Sequence, residues 1–554
     1  MNQIRIYALG GLDEDGKNLT VVEINQDIFI LDVGLKYPEG QRHLGVEIII
    51  PDFKTLIEKK NQIKAIFITH GHDDAMGALP YLLKNVNAPI YTTAFTASLI
   101  ENLLKEHEIK DYSLKIVKRF DQFSINNVNI RTFGITHSIA DAMGVAIESP
   151  EGYIVYAAEY IIDFDNRHEA FSCDLTAFAE IGKKGVFALL TESISSDRSG
   201  FTAPSHKISE YLENTLENTT GRIILTMYEQ NLYRLIEVLE LARRFKRKVV
   251  FYNTHQRNLL QQAEKLGYYK MPLELELPLS RFKNDIEDVL VIVSGSGIAT
   301  FQTLLKIAMK EDDRLSLRPT DTVFIASPVV PGTEKEAASM ENELYKEDVE
   351  VITLDKKKVF SMHAAIEDIK MMLYLMKPRY FVPIHGEYRH LIANANIALD
   401  MGFYADKIVV LDNGEIATFE NGKRTNAINR IELETVLIDG NEKLDFSGLI
   451  LRDREMLSTD GVIVVGVSID FKSKEVLGGP DVQSRGVIYL KDADHIVKEI
   501  ANILENTVKE LVESRKYDNT SARNEARDRM SKYIFKETGK RPMILPVIIE
   551  LNLS

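Results

Sequence analysis

One stretch of the sequence decides the fold: residues 65–77 read AIFITHGHDDAMG. Its apolar start predicts a buried strand, and His70, His72 and Asp74 follow that strand directly. A strand that ends in this way brings two imidazoles and a carboxylate to one point at its C-terminal edge. Imidazole nitrogen and carboxylate oxygen are the ligands that zinc and manganese sites use. The stretch therefore predicts a metal site at the edge of a sheet.

Three more apolar runs end on a residue that can bind a metal ion. His137, Glu159 and His385 each close such a run, and a threonine precedes His137 as another precedes His70. A lone histidine at a strand end is more often a hydrogen-bonded core or capping residue. Four strands that all finish on a ligand type are hard to obtain by chance, so we expect these residues to converge on one site.

These residues, together with segments elsewhere, resemble the ribonuclease J branch of the β-CASP nucleases, a subgroup of the metallo-β-lactamase fold. The supporting segments are GGLDEDGKN at 10–18, LDVGLKYP at 31–38 and KPRYFVPIHGEYR at 377–389. The resemblance covers essentially all 554 residues. It implies an α/β protein: a metallo-β-lactamase αβ/βα sandwich with an inserted doubly wound β-CASP lobe and a small C-terminal α/β domain.

The resemblance also implies roles for the strand-end residues. His70, His72 and His137 would hold one metal ion. A second ion would be held by Asp74, residue 75 and His385, and residue 159 would bridge the two. Such a pair hydrolyses phosphodiester bonds through a metal-activated hydroxide. The remaining expected roles are catalysis for Asp74 and His363, and support of the site without metal binding for Asp32 and Glu192.

The sequence departs from the family pattern at the second metal. Position 75 is alanine instead of histidine, and Glu159 replaces an aspartate, which moves the bridging carboxylate outward by one methylene. Ala158 stands where the family usually has glycine. We therefore expect one site that binds Zn²⁺ or Mn²⁺ and a second site that is weak or empty.

The segment VFSMHA at 359–364 resembles the family's His-Val-Ser-Gly-His motif, which binds RNA phosphate. Ser361 and His363 remain as the expected phosphate-binding residues. Val359 replaces the leading histidine, and Met362 replaces the glycine that would let a phosphate approach the backbone closely.

Composition indicates a large cytoplasmic protein. A single cysteine, Cys173, excludes a disulfide framework and a thiolate zinc site, and it fits a reducing compartment. The chain opens on a strand-like run without a basic and apolar leader. No apolar run approaches the ~20 residues of a spanning helix, so we expect neither export nor a membrane partner. The formal net charge of −15 argues against a general nucleic-acid binder. The basic cluster 243–248 is typical of a helix end, and the cluster 356–358 precedes the phosphate-binding segment.

The pattern of strands and helices divides the chain at about residues 205, 365, 430 and 450. The resemblance implies that the parts are a metallo-β-lactamase domain at 1–205 and 366–430, a β-CASP domain at 206–365, a linker at 431–450 and an oligomerisation domain at 451–554. In the last domain we expect strands at 461–469, 487–490 and 543–549, and helices at 493–515 and 524–538.

Two functions remain open. In the first, the protein is a ribonuclease that degrades single-stranded RNA from a 5′-monophosphate end and cuts internally, with weak activity of its own. It would act in RNA processing and decay, as a homodimer and largely in complex with an active ribonuclease J paralogue. In the second, it is a non-catalytic RNA-binding or scaffold subunit that stabilises that paralogue. A β-lactamase or thioester hydrolase is a distant third, because the inserted lobe would have no use there.

Overall fold

The structure is a computed structural model, and it describes residues 2–38, 46–166, 168–330, 332–355, 359–426, 429–440, 442–443, 449–487 and 494–552. The described residues fall into two compact units. The first lies within 1–37 and 48–437, and the second lies within 38–47 and 438–554.

The first sheet of the larger unit begins with antiparallel strands and continues with parallel ones. The strand Asp27–Leu31 pairs in parallel with Ile63–Phe67, which is the strand that leads into His70. The order of strands across this sheet is Lys423–Arg424, Glu415–Glu420, Gln3–Gly10, Leu19–Ile24, Asp27–Leu31, Ile63–Phe67, Ile90–Thr92 and Leu114–Ile116, with Asn429–Arg430 also paired to Glu415–Glu420.

The second sheet brings the other strand ends to one edge. Its order is Tyr380–Ile384, Val186–Glu192, Gly152–Ala157, Met143–Ser149, Val128–Gly134 and Gln122–Ile125. The first three strands are parallel, and Val128–Gly134 runs in the same direction because two antiparallel pairings separate it from Gly152–Ala157. The chain after each of these strands therefore leaves the sheet at the same edge.

The two sheets pack face to face around one apolar core. Phe29 and Phe67 of the first sheet and Val145, Ile154 and Val382 of the second belong to a single buried cluster. The alternation of side chains along a strand sends Tyr156 into this core and Val155 to the opposite face, which helices cover. The helices on that face are Leu175–Lys184, Ile366–Met376 and Tyr388–Asp400.

The inserted lobe has its own fully parallel sheet. Its strands are ordered Lys248–Phe251, Val289–Gly295, Ile223–Tyr228, Thr322–Ile325 and Glu350–Thr353. One apolar cluster packs this sheet against the helices Ser209–Asn218, Leu232–Arg244 and Thr254–Lys265. Another cluster packs the opposite face against Ala299–Ala308 and Glu334–Lys346. Helices on both faces make this lobe doubly wound, as expected.

The larger unit also contains further elements. They are the strand Ile48–Ile50, the helices Lys54–Glu58, Asp73–Met76, Leu79–Leu83 and Ala94–Glu106, and the 3₁₀ turns Lys60–Gln62, Glu169–Phe171, Leu279–Arg281 and Ala405–Lys407. Cys173 packs against the apolar cluster beneath the second sheet. Burial raises the pKa of its thiol to about 12, which fits a structural residue.

The smaller unit is a sheet covered by helices on one face. Val462–Asp470 is its central strand, antiparallel to Val476–Arg485 and parallel to Met543–Leu551. The helices Asp494–Glu513 and Asn519–Thr538 pack on the inner face of the sheet, where Ile463, Val465 and Ile548 lie. The helix Leu449–Thr459 and a hairpin of Val436–Asp439 with Glu442–Lys443 precede this sheet.

The predicted fold class is confirmed, whereas several details of the smaller unit are corrected. The antiparallel partner of the central strand is Val476–Arg485. Of the expected strand 487–490, Val487 is outside any strand, and 488–490 lie outside the described residues. The second helix begins at Asn519, earlier than predicted, because the Asp518 side chain accepts a hydrogen bond from the Ser521 N–H. The expected linker contains the hairpin, although 441 and 444–448 are not described.

No helix within the described ranges combines the length and the apolarity that crossing a membrane requires.

Candidate metal centre

Four of the predicted ligands converge on one point. One ligand atom each from His70, His72, His137 and Glu159 can be chosen so that all four lie within 4.8 Å of one another. His137 Nε2 lies 3.1 Å from His72 Nδ1 and 3.2 Å from Glu159 Oε2. His70 Nε2 lies 3.7 Å from the same carboxylate oxygen. All four side chains are buried.

Hydrogen bonds on the far side of each ring orient the three imidazoles. His70 Nδ1 lies 2.9 Å from Thr69 Oγ1, and His137 Nδ1 lies 3.1 Å from the carbonyl oxygen of Met362. His72 Nε2 lies 3.4 Å from the Gln230 carbonyl oxygen. When each outer nitrogen donates its hydrogen, each inner nitrogen keeps a lone pair for a cation, which is the usual arrangement around a bound metal.

The environment favours neutral imidazoles. Burial and the neighbouring imidazoles lower the pKa of His70 and of His72 well below the ordinary value. Burial and the charge of His363 lower the pKa of His137 to about 3. A metal ligand must be deprotonated, so this site is ready to bind at neutral pH.

Glu159 supplies a carboxylate that is almost inaccessible to water. Its side chain is 3% exposed, and its Oε1 atom has no hydrogen-bond partner among the residues that the structure describes. Burial raises the pKa of Glu159 to about 7, partly offset by the charge of His363. A buried carboxylate with an orphaned oxygen is costly without a cation, so the donor set of three imidazoles and one carboxylate fits Zn²⁺ or Mn²⁺.

The second group of expected ligands is less complete. Asp74 Oδ1 lies 3.8 Å from His70 Nε2, and its Oδ2 accepts a hydrogen bond from the Asn18 side chain at 3.1 Å. Asp74 stands outside the four-residue cluster. Ala75 is fully buried, and its side chain has no atom that could bind a metal ion.

His385 is engaged by a residue that the sequence interpretation missed. The Tyr156 hydroxyl lies 3.0 Å from His385 Nε2 and donates a hydrogen bond of 2.9 Å to Asp32 Oδ2. His385 Nδ1 is buried and has no partner within the described part of the chain. A signal for Tyr156 existed, since strand alternation places its polar hydroxyl on the inner face of the sheet.

Asp32 supports the exit of the strand that carries His70. Its carboxylate accepts a hydrogen bond of 2.8 Å from the Thr69 N–H and others from the Thr69 and Tyr156 hydroxyls. The same threonine contacts His70. Asp32 is thus connected to the His70 imidazole through Thr69.

Glu192 connects the centre to the segment 359–364. Its Oε1 accepts hydrogen bonds from the backbone N–H groups of Tyr160 and Ala364, and its Oε2 lies 2.8 Å from His363 Nδ1. Burial opposes a charge on His363, but the charge of Glu192 and its hydrogen bond outweigh burial and raise the pKa of His363 to about 10. His363 also lies 4.0 Å from Glu159 Oε2.

The other residues of this segment are placed differently. Ser361 is exposed, and Met362 is buried with its carbonyl oxygen on His137. Val359 packs against the apolar cluster of the inserted lobe. The basic cluster 356–358 lies outside the described residues.

The inserted lobe contributes directly to the centre. Gln230 contacts His72, and the backbone N–H of Tyr233 donates to the Ser138 carbonyl oxygen at 2.9 Å. In the basic cluster 243–248, Arg244 pairs with Glu213 and Arg247 donates to the Gly221 carbonyl oxygen. The helix Leu232–Arg244 ends within this cluster, as the helix-end interpretation predicts.

Comparisons with known proteins agree with this architecture. The chain matches four family models. They are the Metallo-beta-lactamase superfamily at residues 12–255, the Ribonuclease J beta-CASP domain at 220–344, the Zn-dependent metallo-hydrolase RNA specificity domain at 348–405 and the Ribonuclease J C-terminal domain at 449–551.

Similar proteins match the chain over nearly its full length. Ribonuclease J 2 of Staphylococcus epidermidis is 34% identical over 550 residues, which are 99% of this chain and 98% of that protein. Ribonuclease J 2 of Staphylococcus aureus is 33% identical over the same shares. A crystal structure of a protein of unknown function from Enterococcus faecalis covers 75% of this chain and 100% of its own, with a TM-score of 0.53 and 17% identity, which shows the fold alone. On the full-length identity and the matching domain models, the chain belongs to the ribonuclease J family.

Proposed function

We propose that this protein is an RNA-processing and RNA-decay nuclease whose own activity is weak. The observation that carries the proposal is the convergence of His70, His72, His137 and Glu159 beside the inserted lobe. Its substrate would be single-stranded RNA with a 5′-monophosphate, degraded in the 5′-to-3′ direction and also cut internally. The protein would act in the cytoplasm, and its metal site would bind Zn²⁺ or Mn²⁺.

A bound divalent cation would supply a hydroxide near neutral pH and stabilise charge on the phosphate oxygens. The residues of the chain itself would orient the substrate and move protons. His363, held in its charged form by Glu192, would bind a phosphate oxygen together with the exposed Ser361 hydroxyl. Asp74, with Oδ1 facing the His70 ring, would accept a proton from the attacking water.

Two features explain why the activity would be weak. Ala75 removes one imidazole that a second ion would use. The Tyr156 hydroxyl holds His385 Nε2 beside Asp32, so this nitrogen is not free for a cation. With Asp74, the Nδ1 atom of His385 and a share of Glu159 left, a second ion would bind weakly or not at all.

Incubation of the purified chain with Mn²⁺ and a 5′-monophosphorylated single-stranded RNA is expected to give slow, measurable degradation. The measurement is the rate of loss of full-length RNA on a denaturing gel. A His137→Ala/Asp74→Ala variant, purified in parallel, should show no activity above contaminating nuclease, because it lacks a metal ligand and the proposed base.

A wild-type rate equal to that of this variant would refute the catalytic proposal. The second candidate, a non-catalytic RNA-binding or scaffold subunit, would then stand. It is favoured by the same two features, Ala75 and the Tyr156–His385 contact. In either case we propose that the protein acts largely in complex with an active ribonuclease J paralogue, which it stabilises.

We propose that the chain is divided as its sequence suggests. The parts are a metallo-β-lactamase domain at 1–205 and 366–430, a β-CASP domain at 206–365, a linker at 431–450 and an oligomerisation domain at 451–554. Support for the last comes from the strand Met543–Leu551, on which Leu545, Val547 and Ile549 point away from the helices and are 45%, 38% and 50% exposed. An apolar face of this kind marks an association surface.

The double change Val547→Lys/Ile549→Lys is expected to convert a homodimer into a monomer of 62.8 kDa. Two charges on the exposed sheet face would have to be buried against the partner, at a cost of several kcal/mol. Light scattering coupled to size exclusion measures the mass. Asn524→Lys, on an exposed helix position of the same domain, is the control and should leave the mass unchanged; dimers of the double variant would refute the assignment.

A further inference from the structure

The distances between the four converging donor atoms indicate how these atoms would coordinate a metal ion. The distances are 3.1 Å from His72 Nδ1 to His137 Nε2, 3.2 Å from His137 Nε2 to Glu159 Oε2, and 3.7 Å from His70 Nε2 to Glu159 Oε2. In a tetrahedral site with ligands about 2.0 Å from the ion, neighbouring donors lie about 3.3 Å apart. Three of the six donor–donor distances are therefore close to tetrahedral spacing, and all four donors lie within 4.8 Å of one another.

A fourth protein ligand changes what a bound ion can do. Catalytic zinc sites use three protein ligands and keep the fourth position for water or substrate, whereas structural sites fill all four with protein atoms. Here Glu159 Oε2 lies 3.2 Å from His137 Nε2 and 3.7 Å from His70 Nε2, and the side chain is 3% exposed. The carboxylate faces the same nitrogens that hold the ion.

The length of the glutamate side chain is essential, because the backbone beside it is fixed. The Tyr160 N–H donates to Glu192 Oε1 at 2.7 Å, and the Ile161 N–H donates to the Thr136 carbonyl oxygen at 2.9 Å. Ala158 and Tyr160 are fully buried on either side. An aspartate at 159 would end about 1.5 Å short of the present carboxylate, one carbon–carbon bond, and the chain could recover that distance only by disturbing these two hydrogen bonds.

We propose that Glu159 closes a single four-coordinate site with His70, His72 and His137, and that the ion bound there mainly stabilises the fold. The inference rests on the proposed function, since it concerns the metal centre of that function. It assigns Glu159 to the first site as a full ligand and not to a bridge between two ions. Hydrolysis then requires the carboxylate to leave its position, which limits the rate.

Cobalt(II) substitution tests the proposal without RNA. The apoprotein, loaded with Co²⁺ alone, is expected to bind one ion per chain. Its visible absorption should be strong, as for four-coordinate cobalt, and should not change when azide is added, because no position is open. The variant Glu159→Asp should admit water to the vacated fourth position, and its visible spectrum should therefore shift with azide. Glu159→Gln should bind Co²⁺ at least tenfold more weakly.

Asp15→Asn is the matched control, because Asp15 is a nearby carboxylate whose charge acts on Glu159 but which is not one of the four donors. It should keep the wild-type spectrum. Weak absorption, an azide response or two tightly bound ions in the wild-type protein would each overturn the proposal. The azide titration of the wild-type protein tests the proposal even if a variant fails to fold. Absence of ribonuclease activity would refute the proposed function and leave these spectra as the separate test of Glu159.

Discussion

Replacement of Asp32 by alanine is expected to lower the free energy of unfolding by about 3 kcal/mol and to abolish metal binding. The fully buried carboxylate accepts hydrogen bonds from the Thr69 N–H and from the hydroxyls of Thr69 and Tyr156. Each buried donor left without an acceptor costs about 1–3 kcal/mol. The metal would be lost because Thr69 also orients the His70 ring. Urea unfolding followed by far-UV circular dichroism measures the first effect, and elemental analysis of the purified protein measures the second.

Asp27→Ala is the control for the Asp32 experiment. Asp27 begins the strand that Asp32 follows, but it lies near the surface and pairs with Lys64 at 3.6 Å. Surface pairs of this kind contribute about 0–1 kcal/mol, so the control should retain its metal and nearly all its stability. An Asp32→Ala protein that keeps a full complement of metal would contradict the supporting role given to Asp32.

The change Arg222→Met is expected to cost about 3–5 kcal/mol of unfolding free energy, because it leaves a buried charge without its partner. Arg222 and Asp321 are each 1% exposed, and Arg222 Nε donates to Asp321 Oδ1 at 2.8 Å. The pair lies within the parallel sheet of the inserted lobe, next to the strands Ile223–Tyr228 and Thr322–Ile325. Urea unfolding followed by far-UV circular dichroism is suitable because the chain contains no tryptophan.

The double change Arg222→Met/Asp321→Leu provides the internal comparison. With both charges gone, the remaining side chains are apolar and close in size, so most of the lost stability should return. A double variant as unstable as Arg222→Met alone would show that the loss comes from packing or from the Asn284 and Ser316 contacts of the arginine. The comparison thus separates the buried charge from the volume of the side chain.

Local sequence patterns were sufficient to predict a strand wherever a pattern is compatible with only one type of secondary structure. The apolar runs before His70, His137, Glu159 and His385 are all strands or the exits of strands in the structure. They failed in the smaller unit, where Val476–Arg485 contains Gly478, Gly479 and Pro480 and was not predicted as a strand. A glycine–proline strand is stable there because its partner Val462–Asp470 supplies the pairing, which no local pattern shows.

The sequence by itself determined the fold class, the family and the set of side chains that meet at the sheet edge, because strand direction and side-chain type are local properties. Only the tertiary structure decided which of those side chains contact one another. Glu159 belongs with the three histidines, and Tyr156 holds His385 beside Asp32. These contacts join strands from two facing sheets, and their distances depend on how the sheets pack. A difference of one methylene or one hydroxyl changes the chemistry of a metal centre, and packing at that scale is not encoded in the spacing of residues along the chain.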